Sequence, residues 1–245
     1  MGVSGDGDSA SIGLGQFAHC MRRGVNMVYI VENNGVYGLT KGQFSATSDK
    51  GAKSKRGVIN SDEPIDLVGM ALQLGATFVA RSFSGDKGQL VPLIEAALKH
   101  EGAAFIDCIS PCVAFNNHDG STKSFDYVRE HNAAVNFLDV ITGRQEITVD
   151  YAPGTVETVT QHDGSILRLR KLDDAYDVHD RIAALTYLQQ RQAAGEIVTG
   201  LLYVDPNPHD LHSHLKTSDT PLNALPDEVL VPGSAALDKI NASLR

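Results

Sequence analysis

The sequence predicts an α/β protein built on a doubly wound, mostly parallel sheet, with a β-hairpin and helix extension at its C-terminal end. Three observations carry this. Apolar runs of strand length without strict alternation, at residues 25–31 and 103–109, suit strands covered on both faces. Segments of helical periodicity separate such runs. Polar, glycine-rich clusters, Gly5-Asp6-Gly7-Asp8 and Asn33-Asn34-Gly35, stand where strands would end.

The elements follow in order. A short strand leads into Gly5. Residues 9–23 read as a helix with Ile12, Phe17 and Met21 apolar and a stop at Gly24. After the strand at 25–31 comes a loop over 41–60 holding Lys41, Lys50, Lys53, Lys55 and Arg56, a local positive patch. Residues 64–74 predict a helix capped by Asp62 with Pro64 in its first turn. A strand at 77–80, a helix at 87–100 and the strand at 103–109 follow. The stretch 116–132 is polar and irregular; His118 and His131 within it read as polar surface rather than as acid–base groups. From 146 the character changes. Residues 146–151 and 155–160 are β-rich. His162-Asp163-Gly164 forms a hairpin turn into a strand at 165–171. A helix over 176–194 ends at Gly195, and a strand follows at 197–204. A Pro- and His-rich tail with His209, His212 and His214 reads as solvated and leads to a terminal helix at 235–244. The change at 146 divides the chain into a binding domain, 1–145, and an extension, 146–245.

The chain has 245 residues, 42% of them hydrophobic, enough for a sizeable core. Its formal charge of −9 argues against general nucleic-acid binding. No apolar run is long enough to span a bilayer. Three cysteines, Cys20, Cys108 and Cys112, are too few for a disulfide framework and suit a reducing compartment. These features fit a cytoplasmic protein that engages neither nucleic acid nor membrane.

Asp6 and Asn34 stand 28 positions apart, with one helix and one strand between them. A βαβ unit places both at the carboxyl edges of neighbouring strands, where open α/β sheets bind ligands. Gly5 and Gly7 permit a sharp turn and close approach of a ligand to the backbone. The N–H groups of the following helix favour an anion such as phosphate. A lone Asp6 carboxylate beside a phosphate would repel it, and a hard cation such as Mg²⁺ resolves that conflict by bridging the two. Asn34 supplies a neutral oxygen, and a backbone carbonyl near Val36 a third. A calcium loop starting at Asp6 needs a Glu at its twelfth position, and Phe17 stands there. Each cluster taken alone could still be an ordinary turn.

The pair of clusters resembles the diphosphate–Mg²⁺ motif of thiamine diphosphate enzymes. Tyr37-Gly38-Leu39-Thr40-Lys41-Gly42-Gln43 narrows it, together with Ile109-Ser110-Pro111-Cys112 and Gly120-Ser121-Thr122-Lys123-Ser124. The chain is similar to the beta chain of the 2-oxoacid:ferredoxin oxidoreductases, most of all the 2-oxoglutarate type. The similarity runs to about Val149 and more weakly beyond. It implies the thiamine diphosphate-binding fold of the pyrophosphate type. It also implies Mg²⁺ held by Asp6, Asn34 and the Val36 carbonyl, and a diphosphate lined by Gly5, Gly7, Asp8, Gly38 and Leu39. Lys41 would lie near substrate or coenzyme A. The implied reaction is decarboxylation of a 2-oxoacid, its two electrons passing singly to ferredoxin and its acyl group to coenzyme A. An alpha subunit would supply the pyrimidine half of the site.

Cys112 taken alone reads as a small buried residue. The resemblance makes it a ligand of a [4Fe–4S] cluster, which needs four thiolates. Cys20 falls in a helix and Cys108 in a strand, so neither substitutes. The strand before Asp6 is short, which leads to the expectation of a preceding segment carrying the other cysteine ligands, as family beta chains do. Two alternatives stay open: another thiamine diphosphate lyase or decarboxylase without a cluster, and a non-catalytic fragment.

Overall fold

The structure, a computed structural model, describes residues 1–38, 42–53, 57–110, 147–161, 166–231 and 233–244. A seven-stranded sheet dominates it, in the order β1 (Gly2–Gly5), β2 (Met27–Asn33), β6 (Ala103–Ile109), β5 (Phe78–Phe83), β9 (Ile197–Val204), β8 (Ile166–Lys171), β7 (Val156–Thr160). The first four run parallel. β9 is antiparallel to β5, β8 is parallel to β9, and β7 closes a hairpin with β8. A separate two-stranded ribbon, β3 (Val36–Tyr37) with β4 (Gln43–Phe44), follows β2.

The central strands are buried on both faces, as their uninterrupted apolar runs require: Ala103 to Ile106 are all 0% exposed. One face packs against α1 (Leu14–Arg23), α2 (Leu67–Leu74) and α4 (Arg181–Ala193), whose Phe17, Leu72 and Leu188 enter the core. The other face is covered by α3 (Lys87–Lys99) through Leu93 and Ala97.

The helix expected over 9–23 is divided. Gly7–Ile12 forms a wide π-helical turn, closed where the Gly13 N–H donates to the Asp8 carbonyl at 2.6 Å, and α1 starts at Leu14. Ile12 consequently lies outside the core, 81% exposed, whereas Phe17 and Met21 are buried. Gly24 ends α1 in the left-handed conformation, φ 64°. The next helix is shorter than the sequence predicts. Its cap is Asp66, which accepts from the Val68 N–H, and not Asp62, so Pro64 stays outside. The helix expected from 176 begins at Arg181, where Asp180 accepts from the Ile182 and Ala183 N–H groups, both at 2.9 Å.

Met1–Leu211 forms one compact unit and His212–Arg245 another. The division expected at 145/146 therefore falls within the first unit, because β7–β9 continue its sheet. The second unit holds most of α5 (Leu211–Leu215), then α6 (Asp227–Leu230) and α7 (Ser234–Ser243). Among the described residues no helix is long and apolar enough to cross a membrane. The motif residues Leu39, Thr40 and Lys41, the stretch holding Cys112, His118 and His131, and the turn at 162–164 lie outside the described residues.

Candidate functional site

The register between β1 and β2 ends with Gly5 opposite Glu32. The next residue on each chain is Asp6 and Asn33, so the two polar clusters share the carboxyl edge of adjacent strands. β6 ends beside them: the Ser110 N–H donates to the Asn33 carbonyl at 2.8 Å.

Asp6 is 1% exposed. Its Oδ1 accepts from the Asn34 N–H at 3.3 Å. Its Oδ2 accepts from Ser45 Oγ and, at 2.7 Å, from Thr47 Oγ1. No cation pairs with this carboxylate among the described residues. The Asn34 side chain lies at the exposed end of β2, where Oδ1 accepts from the Val36 N–H at 3.0 Å, a local Asx turn. That oxygen keeps a second lone pair. Val36 lies half-buried in β3 opposite Phe44. A carboxylate, an amide oxygen and nearby carbonyls are hard donors suited to Mg²⁺. A buried carboxylate without a cationic partner fits such an ion.

The glycines differ. A Cβ added at Gly5 meets nothing within 4 Å, so that side is open. At Gly7 it meets the Tyr37 ring at 2.4 Å, and Tyr37 Oη donates to the Gly7 carbonyl at 2.9 Å. A ligand on that face of Gly7 displaces the ring. Asp8 and Gly38 are both exposed. The helix end facing the motif is the six-residue π-helical turn rather than the start of α1.

A second group of charges borders the same edge. Arg81 donates to Asp107 Oδ2 through Nε and to Asp66 Oδ1 through Nη2, each at 2.8 Å. Burial opposes its charge, but the two carboxylates outweigh it and hold its pKa above the ordinary value. Asp107 Oδ1 accepts from Asn33 Nδ2 at 3.1 Å. One arginine between two carboxylates leaves a net negative charge, so the cluster does not recruit an anion. A cavity of about 640 Å³ opens here, with Asn34, Asp66, Arg81, Asp107, Arg168 and Glu196 in its lining.

Cys108 is 6% exposed, and burial, then the Asp107 and Glu32 charges, push its thiol up to about 12. Cys20, half-buried in α1, donates to Met27 Sδ at 3.4 Å, and burial raises its pKa. Among the described residues no group of three or more His, Cys, Asp or Glu is placed to hold a metal, His209, His212 and His214 included.

Ser45, Thr47, Arg81 and Asp107 did not stand out in the sequence. Ser45 and Thr47 lie 39 and 41 positions from Asp6, with no fixed spacing to flag them. The one local signal was the hydroxyl-rich stretch Ser45-Ala46-Thr47-Ser48 directly after Gln43 and Phe44.

The family described as thiamine pyrophosphate enzyme, C-terminal TPP binding domain, matches residues 1–108. The chain is 40% identical over 142 residues to the 2-oxoglutarate oxidoreductase subunit KorB of Mycobacterium tuberculosis, covering 58% of this chain and 37% of that one. It is 47% identical over 124 residues to the 2-oxoacid:ferredoxin oxidoreductase subunit beta of Saccharolobus solfataricus, covering 49% and 39%. The matches thus span well under half of these relatives. A solved structure of the 2-oxoglutarate:ferredoxin oxidoreductase from Magnetococcus marinus, with 2-oxoglutarate, coenzyme A and succinyl-CoA bound, superposes with a TM-score of 0.65 at 27% identity. That superposition covers 100% of this chain and 68% of the other. The strand-edge site lies inside the matched domain, and over that part the chain is similar to the beta subunits of 2-oxoacid:ferredoxin oxidoreductases.

Proposed function

We propose that this chain is the diphosphate-binding subunit of a thiamine diphosphate-dependent oxidoreductase that decarboxylates a 2-oxoacid, 2-oxoglutarate first among them, to its acyl-CoA and reduces ferredoxin. The observation that carries the reading is the buried Asp6 carboxylate at the end of β1, facing Asn34 at the end of β2 and lacking a cationic partner among the described residues. In this reading Asp6, Asn34 and the Val36 carbonyl hold Mg²⁺. Gly5, Gly7, Asp8, Gly38 and Leu39 line the diphosphate.

When bound, thiamine diphosphate supplies the nucleophilic carbon and the electron sink that decarboxylation requires. This chain's part is to bind and orient. Asp6 would balance the charge of the bound cation, and the hydroxyls of Ser45 and Thr47 fix the carboxylate. Lys41 serves substrate or coenzyme A, and Cys112 is one thiolate ligand of a [4Fe–4S] cluster. Cys108 is unsuited to that role because it is buried in β6, packed in the core against α3. An alpha subunit completes the site, and the extension from 146 packs on it. The exposed apolar side chains Leu237 and Ile240 on α7 support that docking. The acidic composition and few cysteines support a cytoplasmic setting.

The test is reduction of ferredoxin by the chain assembled with its alpha subunit, under anaerobic conditions. Reduction is expected only with 2-oxoacid, coenzyme A, Mg²⁺ and thiamine diphosphate together. Cofactor binding without ferredoxin reduction would indicate a non-oxidative thiamine diphosphate enzyme. Absence of cofactor binding in the assembled enzyme would indicate a non-catalytic chain.

A further inference from the structure

Two hydroxyls outside both polar clusters hold Asp6. Ser45 Oγ and Thr47 Oγ1 converge on the same oxygen, Oδ2, and lie 2.9 Å from each other. The other oxygen, Oδ1, has the 3.3 Å Asn34 N–H contact. The carboxylate is therefore turned so that one oxygen is consumed by the protein and the other is directed toward Asn34. Thr47 Oγ1 also lies 3.0 Å from Asn33 Oδ1, so its single proton serves two acceptors. Asn33 is fixed by Asp107, and Asp107 by Arg81, whose side chain is 14% exposed. The links form an unbroken path from Asp6 through Thr47, Asn33 and Asp107 to Arg81 and the Asp66 cap of α2.

We infer that Thr47, seconded by Ser45, is a positioning residue for cation binding: it holds Asp6 Oδ2 so that Oδ1 is the oxygen offered to Mg²⁺, and it ties that carboxylate to the Arg81–Asp107 pair. The inference rests on the proposed Mg²⁺–diphosphate reading of the site. Its physical basis is preorganisation. A carboxylate locked in one rotamer by hydroxyl donors does not lose that freedom when it ligates a cation, and charge-assisted hydrogen bonds are the strong ones.

The experiment titrates Mg²⁺ at fixed thiamine diphosphate in the assembled enzyme, follows cofactor binding by calorimetry, and records the melting temperature of each protein. Thr47→Val keeps the shape of the side chain and removes the hydroxyl. It is expected to raise the Mg²⁺ concentration for half-maximal binding by about ten- to a hundred-fold, the worth of one charge-assisted hydrogen bond. Thr47→Ser restores the hydroxyl and is expected to return the requirement to within about threefold of the parent. An unchanged Mg²⁺ requirement in Thr47→Val, or equal losses in the Val and Ser variants, overturns the inference. Asp6→Ala separates the two levels: it is expected to abolish Mg²⁺-dependent binding. If Asp6→Ala binds like the parent, the reading of the site fails and the role of Thr47 fails with it. If Asp6→Ala fails to bind while Thr47→Val is normal, only the role of Thr47 is lost.

Discussion

Tyr37 is seated on Gly7: its hydroxyl donates to the Gly7 carbonyl at 2.9 Å, and its ring lies where a Gly7 side chain would begin. They stand thirty positions apart, a span that holds the π-helical turn, α1 and β2, so this contact folds the ribbon of β3 and β4 back onto the first strand's exit. Gly7→Ala is expected to dislodge the ring and destabilise the chain by about 1–3 kcal/mol, the usual cost of overpacking. Tyr37→Ala in the same protein should recover much of that loss. Thermal unfolding of the single and double variants checks this, and identical melting of Gly7→Ala and parent would show that the ring is not held there.

Arg81 stands between Asp107, 2% exposed, and Asp66, 31% exposed at the cap of α2. Arg81→Met leaves the deeper carboxylate uncompensated. A loss of about 3–5 kcal/mol is expected, as when one member of a buried pair is removed. Arg81→Lys should recover only part, because an ammonium cannot fork to both carboxylates as a guanidinium does. Urea unfolding midpoints with unchanged slopes would measure both.

Cys108 should be nearly inert in the native protein. It is buried in β6, with a thiol pushed up to about 12 by burial and by the Asp107 and Glu32 charges. At pH 8 its thiolate is scarce, and the thiolate is the reactive species. Peptide mapping after brief iodoacetamide treatment should find Cys108 unmodified until denaturant is added. Labelling of native Cys108 at the rate of a free thiol would contradict this environment.

His100 makes stability depend on pH. Burial holds its pKa below the ordinary 6.5, against the smaller opposing pull of Asp205 and Glu101, and its Nε2 lies 2.8 Å from Thr77 Oγ1. The unfolded chain therefore binds this proton more readily than the folded one. The contribution is fully present above pH 6.5 and is lost as pH falls from there through the folded pKa. Denaturation midpoints measured downward from neutrality should fall less steeply in His100→Gln than in the parent. Parallel curves would mean that His100 titrates alike in both states.

The local grammar of this chain was legible from its residues. The strands Ala103–Ile109 and Ile197–Val204 lie where their apolar runs placed them, because burial on both faces leaves no other use for such runs. Gly24 and Gly195 end their helices in the positive-φ region that favours glycine. The clusters around Asp6 and Asn34 meet because the helix and strand between them bring β2 back parallel to β1, side by side. Tertiary structure alone decided the rest. Asp62 and Asp66 are both acceptable caps, and it is Asp66 that stands within reach of Arg81. β9 joins β5 antiparallel, which merges the C-terminal strands into the first sheet rather than leaving them apart. Ser45 and Thr47 reach Asp6 only because the ribbon after β2 turns back over β1. Sequence fixes what a residue can do within a turn or two of itself, whereas a carboxylate's partners from forty positions away are set by the packing of every element between.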